Sequence, residues 1–233
     1  MTVIGASPAW PNPGGANAGY LVESDQTLLL DCGPGVLSAL RARDRLPVDA
    51  IAITHLHLDH WGDLVPWVWL ERSGLVEPRG TELWLPPGAA AELADFGARF
   101  GYGRMFEDAF DLHEYEARTP FGTAGLEVTA VPVEHYGMSA FGFRVRDSAD
   151  RTLAYSGDSA PCPALAELAE GADLFLCEAT LGTSTADSNP RGHLCAEEAL
   201  AVPARRTILT HRPAELAPPA GADVAAPGMT ISL

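Results

Sequence analysis

Three of the seven histidines of the chain fall within six residues, in His55-Leu56-His57-Leu58-Asp59-His60. Imidazole and carboxylate are the preferred donors of borderline divalent ions, and a catalytic site built from them leaves a position open for water. On an extended backbone His55 and His57 point the same way. Asp59 and His60 can then turn toward a second ion roughly 3.5–4 Å off, the usual spacing in two-metal sites. The composition makes such a pattern a rare accident, so a solvated His-rich turn is the weaker reading.

The other candidates stand where short apolar runs end. Ala50–Thr54 runs into His55, Val128–Val133 into Glu134-His135, and Thr152–Ser156 into Gly157-Asp158. Thr207–Thr210 runs into His211, Thr27–Leu30 into Asp31, and Asp173–Cys177 into Glu178. Six such ends predict one edge of a sandwich lined with ligands, where open α/β architectures place their sites.

These runs alternate with helical patterns, which predicts an α/β class. Strands are expected at Thr2–Gly5, Gly19–Glu23, Thr27–Asp31, Asp49–Thr54, Thr81–Leu85, Leu126–Val133, Ala140–Arg146, Thr152–Ser156, Asp173–Cys177 and Thr207–Thr210. Helices are expected at Val36–Arg43, Leu64–Arg72, Ala89–Phe100, Ala164–Glu170 and Ala196–Val202. At 233 residues, with 47% hydrophobic and 20% charged residues, one domain over residues 1–233 is the expectation.

The formal charge is −16. That argues against a nucleic-acid binder, whose affinity rests on basic residues neutralising phosphates. All 15 basic residues are arginine, which excludes Schiff-base chemistry on a lysine and a P-loop. Cys32, Cys162, Cys177 and Cys195 form no CxxC pair and read as reduced thiols. With no basic, apolar leader and no bilayer-length apolar run, a cytoplasmic protein with no membrane partner is expected.

The hexapeptide, with Asp31 in Leu-Leu-Asp-Cys-Gly, His135, Asp158 in Tyr-Ser-Gly-Asp-Ser and His211 in Leu-Thr-His, resembles the metallo-β-lactamase fold superfamily over essentially the whole chain. The resemblance implies a four-layer αβ/βα sandwich with a dinuclear site at one edge. It implies that His55, His57 and His135 hold one ion, that Asp59, His60 and His211 hold the other, and that Asp158 bridges them with a hydroxide between. Zinc is the expected metal, with manganese or iron as alternatives. Asp59 is then the group that orients the nucleophile or accepts its proton. Asp31 more plausibly orients a ligand histidine from behind. Asp63 either does likewise or sits in a first helical turn, where a carboxylate is favoured. His113, with no partner pattern, reads as a surface residue.

A sixth histidine bears on the branch. Gly192-His193-Leu194-Cys195, just before a helix, is similar to the His-Ser-Thr or His-Leu-Thr element of the ribonuclease Z-like branch, as is the Cys177-Glu-Ala-Thr180 stretch. In such enzymes the histidine contacts the phosphate and helps the leaving group depart. Glu178 then either hydrogen-bonds a histidine or lines the pocket. Arg191 and Arg212 either grip phosphate in bidentate fashion or form surface ion pairs. Residues 136–157, between His135 and Asp158, are too few for a tRNA-holding arm once two strands are counted.

The stretches Pro13–Glu23 and Pro227–Ile231 are most similar to compact bacterial cyclic-nucleotide phosphodiesterases. The expected partner is therefore a small phosphodiester rather than DNA or tRNA, with a homodimer compatible. A lactonase, a thioesterase or a ribonuclease Z-type RNA endonuclease is the alternative. The helix after His193 ends before Pro203 and is shorter than in related chains, which is expected either to shift His193 or to widen the pocket.

Overall fold

The computed structural model describes residues 1–74 and 80–233. The first half forms β1 (Thr2–Gly5), β2 (Gly19–Glu23), β3 (Thr27–Leu30), α1 (Val36–Ala42), β4 (Ala50–Ala52), α2 (Leu58–Trp61), α3 (Leu64–Arg72), β5 (Glu82–Leu85), α4 (Ala89–Arg99) and β6 (Asp111–Glu114). The second half forms β7 (Phe121–Thr123), β8 (Leu126–His135), β9 (Met138–Arg146), β10 (Thr152–Tyr155), α5 (Ala164–Ala169), β11 (Leu174–Glu178), α6 (Ala196–Ala201), β12 (Thr207–Thr210) and β13 (Asp223–Val224). Among the described residues β1 to β6 make one sheet in sequence order, and β13 to β7 make a second in reverse order.

Alternation along the strands produces four layers. In β3, Leu28 and Leu30 face the second sheet, whereas Leu29 joins Ile51, Val36 and Trp67 under the helices of the first half. In β11, Leu174 and Leu176 face inward, whereas Phe175 and Cys177 pack with Leu168 and Ala199 of α5 and α6. Successive side chains point to opposite faces, so a strand covered on both sides reads as a continuous apolar run. The result is helix, sheet, sheet, helix, the αβ/βα sandwich expected.

Strand direction places the functional edge. Strands β3 to β6 run parallel, and so do β10 to β13. β8 is antiparallel to β9, which is antiparallel to β10, so β8 ends at the same edge as β10. The C-terminal ends of β3, β4, β8, β10, β11 and β12 are the points from which the candidate ligands emerge.

The differences from the sequence reading have local causes. The strand expected over Asp49–Thr54 is ladder-paired only at Ala50–Ala52, because the Thr54 amide leaves the ladder to donate to Asp31 Oδ1 at 2.8 Å. β8 and β9 run past their expected limits to His135 and Met138 and close on a two-residue turn, Tyr136-Gly137, with φ of 48° and 75°. Such a turn matches the twist of its strands. β6, β7 and β13 are short edge or near-edge pieces whose polar sequences carry no alternation, and only pairing reveals them. The helix after His193 is short, as expected, with six residues. Among the described residues no helix is long and apolar enough to cross a membrane.

Phe143 is fully buried between the two sheets. Phe143→Ala is expected to cost about 3–5 kcal/mol of stability, read as a lowered midpoint of urea denaturation with an unchanged slope.

Candidate metal centre

Two groups of side chains converge at the strand edge. His55, His57, His135 and Asp158 place one donor atom each within 4.8 Å of one another, and so do Asp59, His60, Asp158 and His211. Asp158 belongs to both. Its Oδ2 lies 3.9 Å from Nε2 of His55, 3.3 Å from Nε2 of His60 and 3.9 Å from Nε2 of His135. Asp59 Oδ2 stands 3.4 Å from His60 Nε2 and 3.2 Å from His211 Nε2. His57 is extended at the N-cap of α2, and the helical turn after it carries Asp59 and His60 to the second group. One hexapeptide thus serves both groups, as its spacing predicts.

The donor set fits metal ions, and the hydrogen bonds behind the rings say why. His55 Nδ1 lies 3.0 Å from Thr54 Oγ1, His60 Nδ1 lies 2.8 Å from Asp31 Oδ2, and His135 Nδ1 lies 2.7 Å from the Gly192 carbonyl. His211 Nδ1 lies 2.9 Å from Thr180 Oγ1. Each ring can donate its Nδ1–H outward, which leaves a bare Nε2 lone pair facing the centre, the arrangement of metal-binding histidines. Nε2 of His55 and His60 and Oδ1 of Asp158 are buried with no hydrogen-bond partner. Nδ1 of His57 faces Nε2 of His135 at 2.9 Å. Buried, inward-facing lone pairs without donors are costly, and a cation is the group that satisfies them together.

Electrostatics agree. Burial, with neighbouring His60 next, holds His55 well below the usual imidazole range, and burial also lowers His57 and His135, so all three favour the neutral, ligating form. At His60 burial is outweighed by Asp158 and Asp31, which raise its proton affinity. The same negative charge attracts a divalent cation. Burial opposes ionisation of Asp59 and Asp158, yet hydrogen bonds and charge from His211 and His60 keep both well below the ordinary carboxylate range.

The other sequence candidates fall into place around this centre. Asp31 is fully buried behind His60, as expected of an orienting carboxylate. Asp63 orients no histidine. It stands at the N-cap of α3, but its carboxylate accepts from the Leu37 amide in the first turn of α1. Glu178 Oε1 accepts from His193 Nδ1 at 2.9 Å, and His193 Nδ1 is 3.8 Å from Asp158 Oδ2. Burial disfavours charge on His193, but the Glu178 hydrogen bond and the carboxylates around it prevail and push its pKa up to about 9.

The arginines are committed elsewhere. Arg191 pairs with Glu198 at 2.8 Å and donates to the His193 carbonyl. Arg212 is buried, donating to the carbonyls of Ala179 and Ala217, so the expectation of a surface ion pair fails there for want of both exposure and a carboxylate. His113 is half-exposed and stacks on Trp84. Sequence reasoning missed Thr54, Tyr155 and Thr180, which hold Asp31, His55 or His211 in place. Only the adjacency of Thr54 to His55, and of Thr180 to the Glu178 stretch, could have flagged two of them.

Protein purified without chelator should approach one ion for each of the two donor groups. Asp158→Ala, which removes the member common to both, should lose metal and turnover together, as read by elemental analysis. Asp31→Ala should weaken metal binding roughly 10–100-fold, the usual scale for a partner behind a ligand, as measured by chelator competition.

The sequence and the fold have known relatives. The family described as "Beta-lactamase superfamily domain" matches residues 26–212. The "Uncharacterized protein Rv1339" of Mycobacterium tuberculosis (strain ATCC 25618 / H37Rv) is 35% identical over 228 residues, 91% of this chain and 80% of that one. The ribonuclease Z of Mycobacterium marinum (strain ATCC BAA-535 / M) is 34% identical over 191 residues, 74% of this chain and 67% of that one. The crystal structure of the metallo-beta-lactamase fold protein YhfI from Bacillus subtilis superposes with a TM-score of 0.73 at 25% identity, covering 91% of this chain and 85% of that one. With its four layers, its strand-end ligands and these relatives, the chain belongs to the β-lactamase superfamily and is a hydrolase of the metallo-β-lactamase fold.

Proposed function

We propose that the protein is a phosphodiesterase acting on small phosphodiesters of the cyclic-nucleotide type. The observation that carries the reading is the Glu178–His193 pair, an imidazole held by a buried carboxylate beside the Asp158 that both donor groups share. Phosphodiester cleavage develops charge on the phosphoryl oxygens and on a departing alkoxide, so a positioned proton donor at that place has a use. A lactone or thioester has less need of it. The 34% identity to a ribonuclease Z supports phosphodiesters as the bond class.

The substrate is taken to be small because residues 136–157 are used up by the β8–β9 turn, β9, the β9–β10 connection and β10, with no arm to hold a tRNA. A net charge of −16 offers no long basic track. The donor set of five imidazoles and two carboxylates suits zinc, with manganese or iron as alternatives.

Two divalent ions held by His55, His57 and His135 and by Asp59, His60 and His211, with Asp158 common to both, would supply Lewis acidity toward phosphoryl oxygen and water. The chain's own residues do the rest. Asp59, held well below the usual carboxylate range, is a weak base. It orients the attacking water by accepting its hydrogen bond. His193 has Nδ1 engaged by Glu178, which leaves Nε2 to carry a proton to the departing oxygen. Glu178 also accepts from the amides of Ser159 and Leu194, so the carboxylate that orients the imidazole is itself fixed.

His193→Ala should lower kcat on a cyclic nucleotide by roughly 10²–10⁴, the scale of a positioned acid, with metal content unchanged. Bis-p-nitrophenyl phosphate, whose leaving group needs no proton, should lose much less. Equal losses on both would assign His193 to the phosphoryl oxygens instead. Faster turnover of a lactone or thioester than of either diester would overturn the reading.

A further inference from the structure

Tyr136 occupies a position that tyrosine rarely takes. It is the first residue of the two-residue β8–β9 turn, at a φ of 48°, where Gly, Asn or Asp is the usual occupant. It directly follows the ligand His135 and stays 37% exposed, so burial of the ring does not explain it. Left-handed backbone in a bulky residue persists only where its surroundings over-determine it, and such residues collect at functional sites.

The surroundings are specific. The Tyr136 hydroxyl donates to Asp187 Oδ1 at 2.8 Å, and its amide donates to the Arg191 carbonyl at 3.1 Å. Its ring lies 4.8 Å from that of His135 and 5.5 Å from that of His193, centroid to centroid. Asp187 Oδ2 accepts from the amides of Gly192 and His193 at 2.8 and 3.1 Å. The Gly192 carbonyl in turn lies 2.7 Å from His135 Nδ1. Residue 192 has no room for a side chain, since a Cβ there would meet the Tyr136 ring at 2.2–2.4 Å. The segment that carries His193 is therefore docked on the turn that follows a metal-ligand strand, with Asp187 as the common acceptor.

We infer that Tyr136 and Asp187 form a latch that positions His193 over the metal centre, which makes both of them positioning residues for the departure of the leaving group. The inference rests on the role given to His193 above. Glu178 fixes the direction of the ring through Nδ1, whereas the latch fixes the backbone from which the ring is hung. The short α6 supplies little packing to do this, being six residues long. Neither latch residue bonds a metal ligand directly; the link to His135 runs through the Gly192 carbonyl, so turnover is compared per bound ion.

The test uses the metal-loaded full chain and the variants Tyr136→Phe and Asp187→Ala, each alone and combined with His193→Ala. Tyr136→Phe keeps the ring and removes one hydrogen bond, so it remains informative if Asp187→Ala folds poorly. On a cyclic nucleotide Asp187→Ala should lower kcat roughly 10–100-fold and Tyr136→Phe by less, the scale of a misplaced catalytic group. Turnover is expressed per bound ion, and on that basis the loss on bis-p-nitrophenyl phosphate should be much smaller. Neither variant should cost anything further once His193 is alanine. Amide hydrogen exchange at Gly192 and His193 should accelerate in both. A loss that adds in full to that of His193→Ala, or exchange that stays at the wild-type rate, would overturn the latch. If His193→Ala itself leaves cyclic-nucleotide turnover intact, the role of His193 falls and the catalytic purpose of the latch with it. The exchange rates then decide separately whether the latch holds the loop.

Discussion

The Asp31 carboxylate, wholly buried, accepts hydrogen bonds from groups on three segments. They are the amide and hydroxyl of Thr54 after β4, Nδ1 of His60 in α2, and the hydroxyl of Tyr155 in β10 of the other sheet, the last two both at 2.8 Å. A buried carboxylate is tolerable only when its lone pairs are satisfied, and these donors satisfy them. The same bonds fix the tautomer of a ligand ring and tie the two sheets together at the edge where their ligands meet. Tyr20 of β2 repeats the tie one step away, its hydroxyl 2.7 Å from Thr210 Oγ1 of β12. The spacing of the two donor groups is thus set by a network that belongs to neither sheet alone.

Around that fixed point the labour divides. The candidate metal ligands are on strand ends or on α2, which follows β4 directly, so paired strands and a helical turn fix their backbone. His193, to which the proposed reading gives the proton for the leaving group, is on a longer connection between β11 and α6. This matches the general preference for precise ligands on rigid elements and chemistry on loops. It also explains the density of polar contacts in the connection. Glu178, Asp187 and Glu198 each accept two or more hydrogen bonds from it, and Arg191 is spent on Glu198. The arginines closest to the centre, Arg191 and Arg212, therefore lend structure to the segments around it.

Much of this was legible in the sequence for a physical reason. Ligands for borderline divalent ions come from a few side-chain types, His and carboxylates among them, and a strand buried on both faces must be an apolar run, so the junction of the two is visible without an alignment. His55, His135, Asp158, Glu178 and His211 all lie at such junctions. The partners behind the ligands were not legible, because almost any hydroxyl or carbonyl will serve: Thr54, Thr180, Tyr155 and the Gly192 carbonyl have no required type or spacing. Arg212 was left open between an anion clamp and a surface ion pair, and its burial, with its guanidinium toward backbone carbonyls, has no counterpart in sequence spacing. The edge strands β6 and β13 escaped for the opposite reason. Their sequences carry no pattern, and pairing with an already formed sheet is what makes them strands.

The backbone shows what this architecture demands. Asp31, Tyr136 and His211 all sit at positive φ, at 58°, 48° and 53°. Each directly follows a strand or a strand-end ligand at the functional edge. A strand that simply continued would carry its next side chain away from the centre or into solvent. Reversing φ at that one residue turns the chain off the sheet while the side chain stays against the cluster. For residues with a Cβ such a conformation costs about 1–3 kcal/mol each, and glycine, which adopts it freely, has no donor to offer. The strain is held in place by the bonds those same side chains make: Asp31 to His60 and Tyr155, His211 to Thr180 and Asp59, and Tyr136 to Asp187. Side-chain bonding and backbone strain at this edge are consequently one coupled feature, so removing a ligand's partner loosens the turn that presents the ligand as well as the ligand itself.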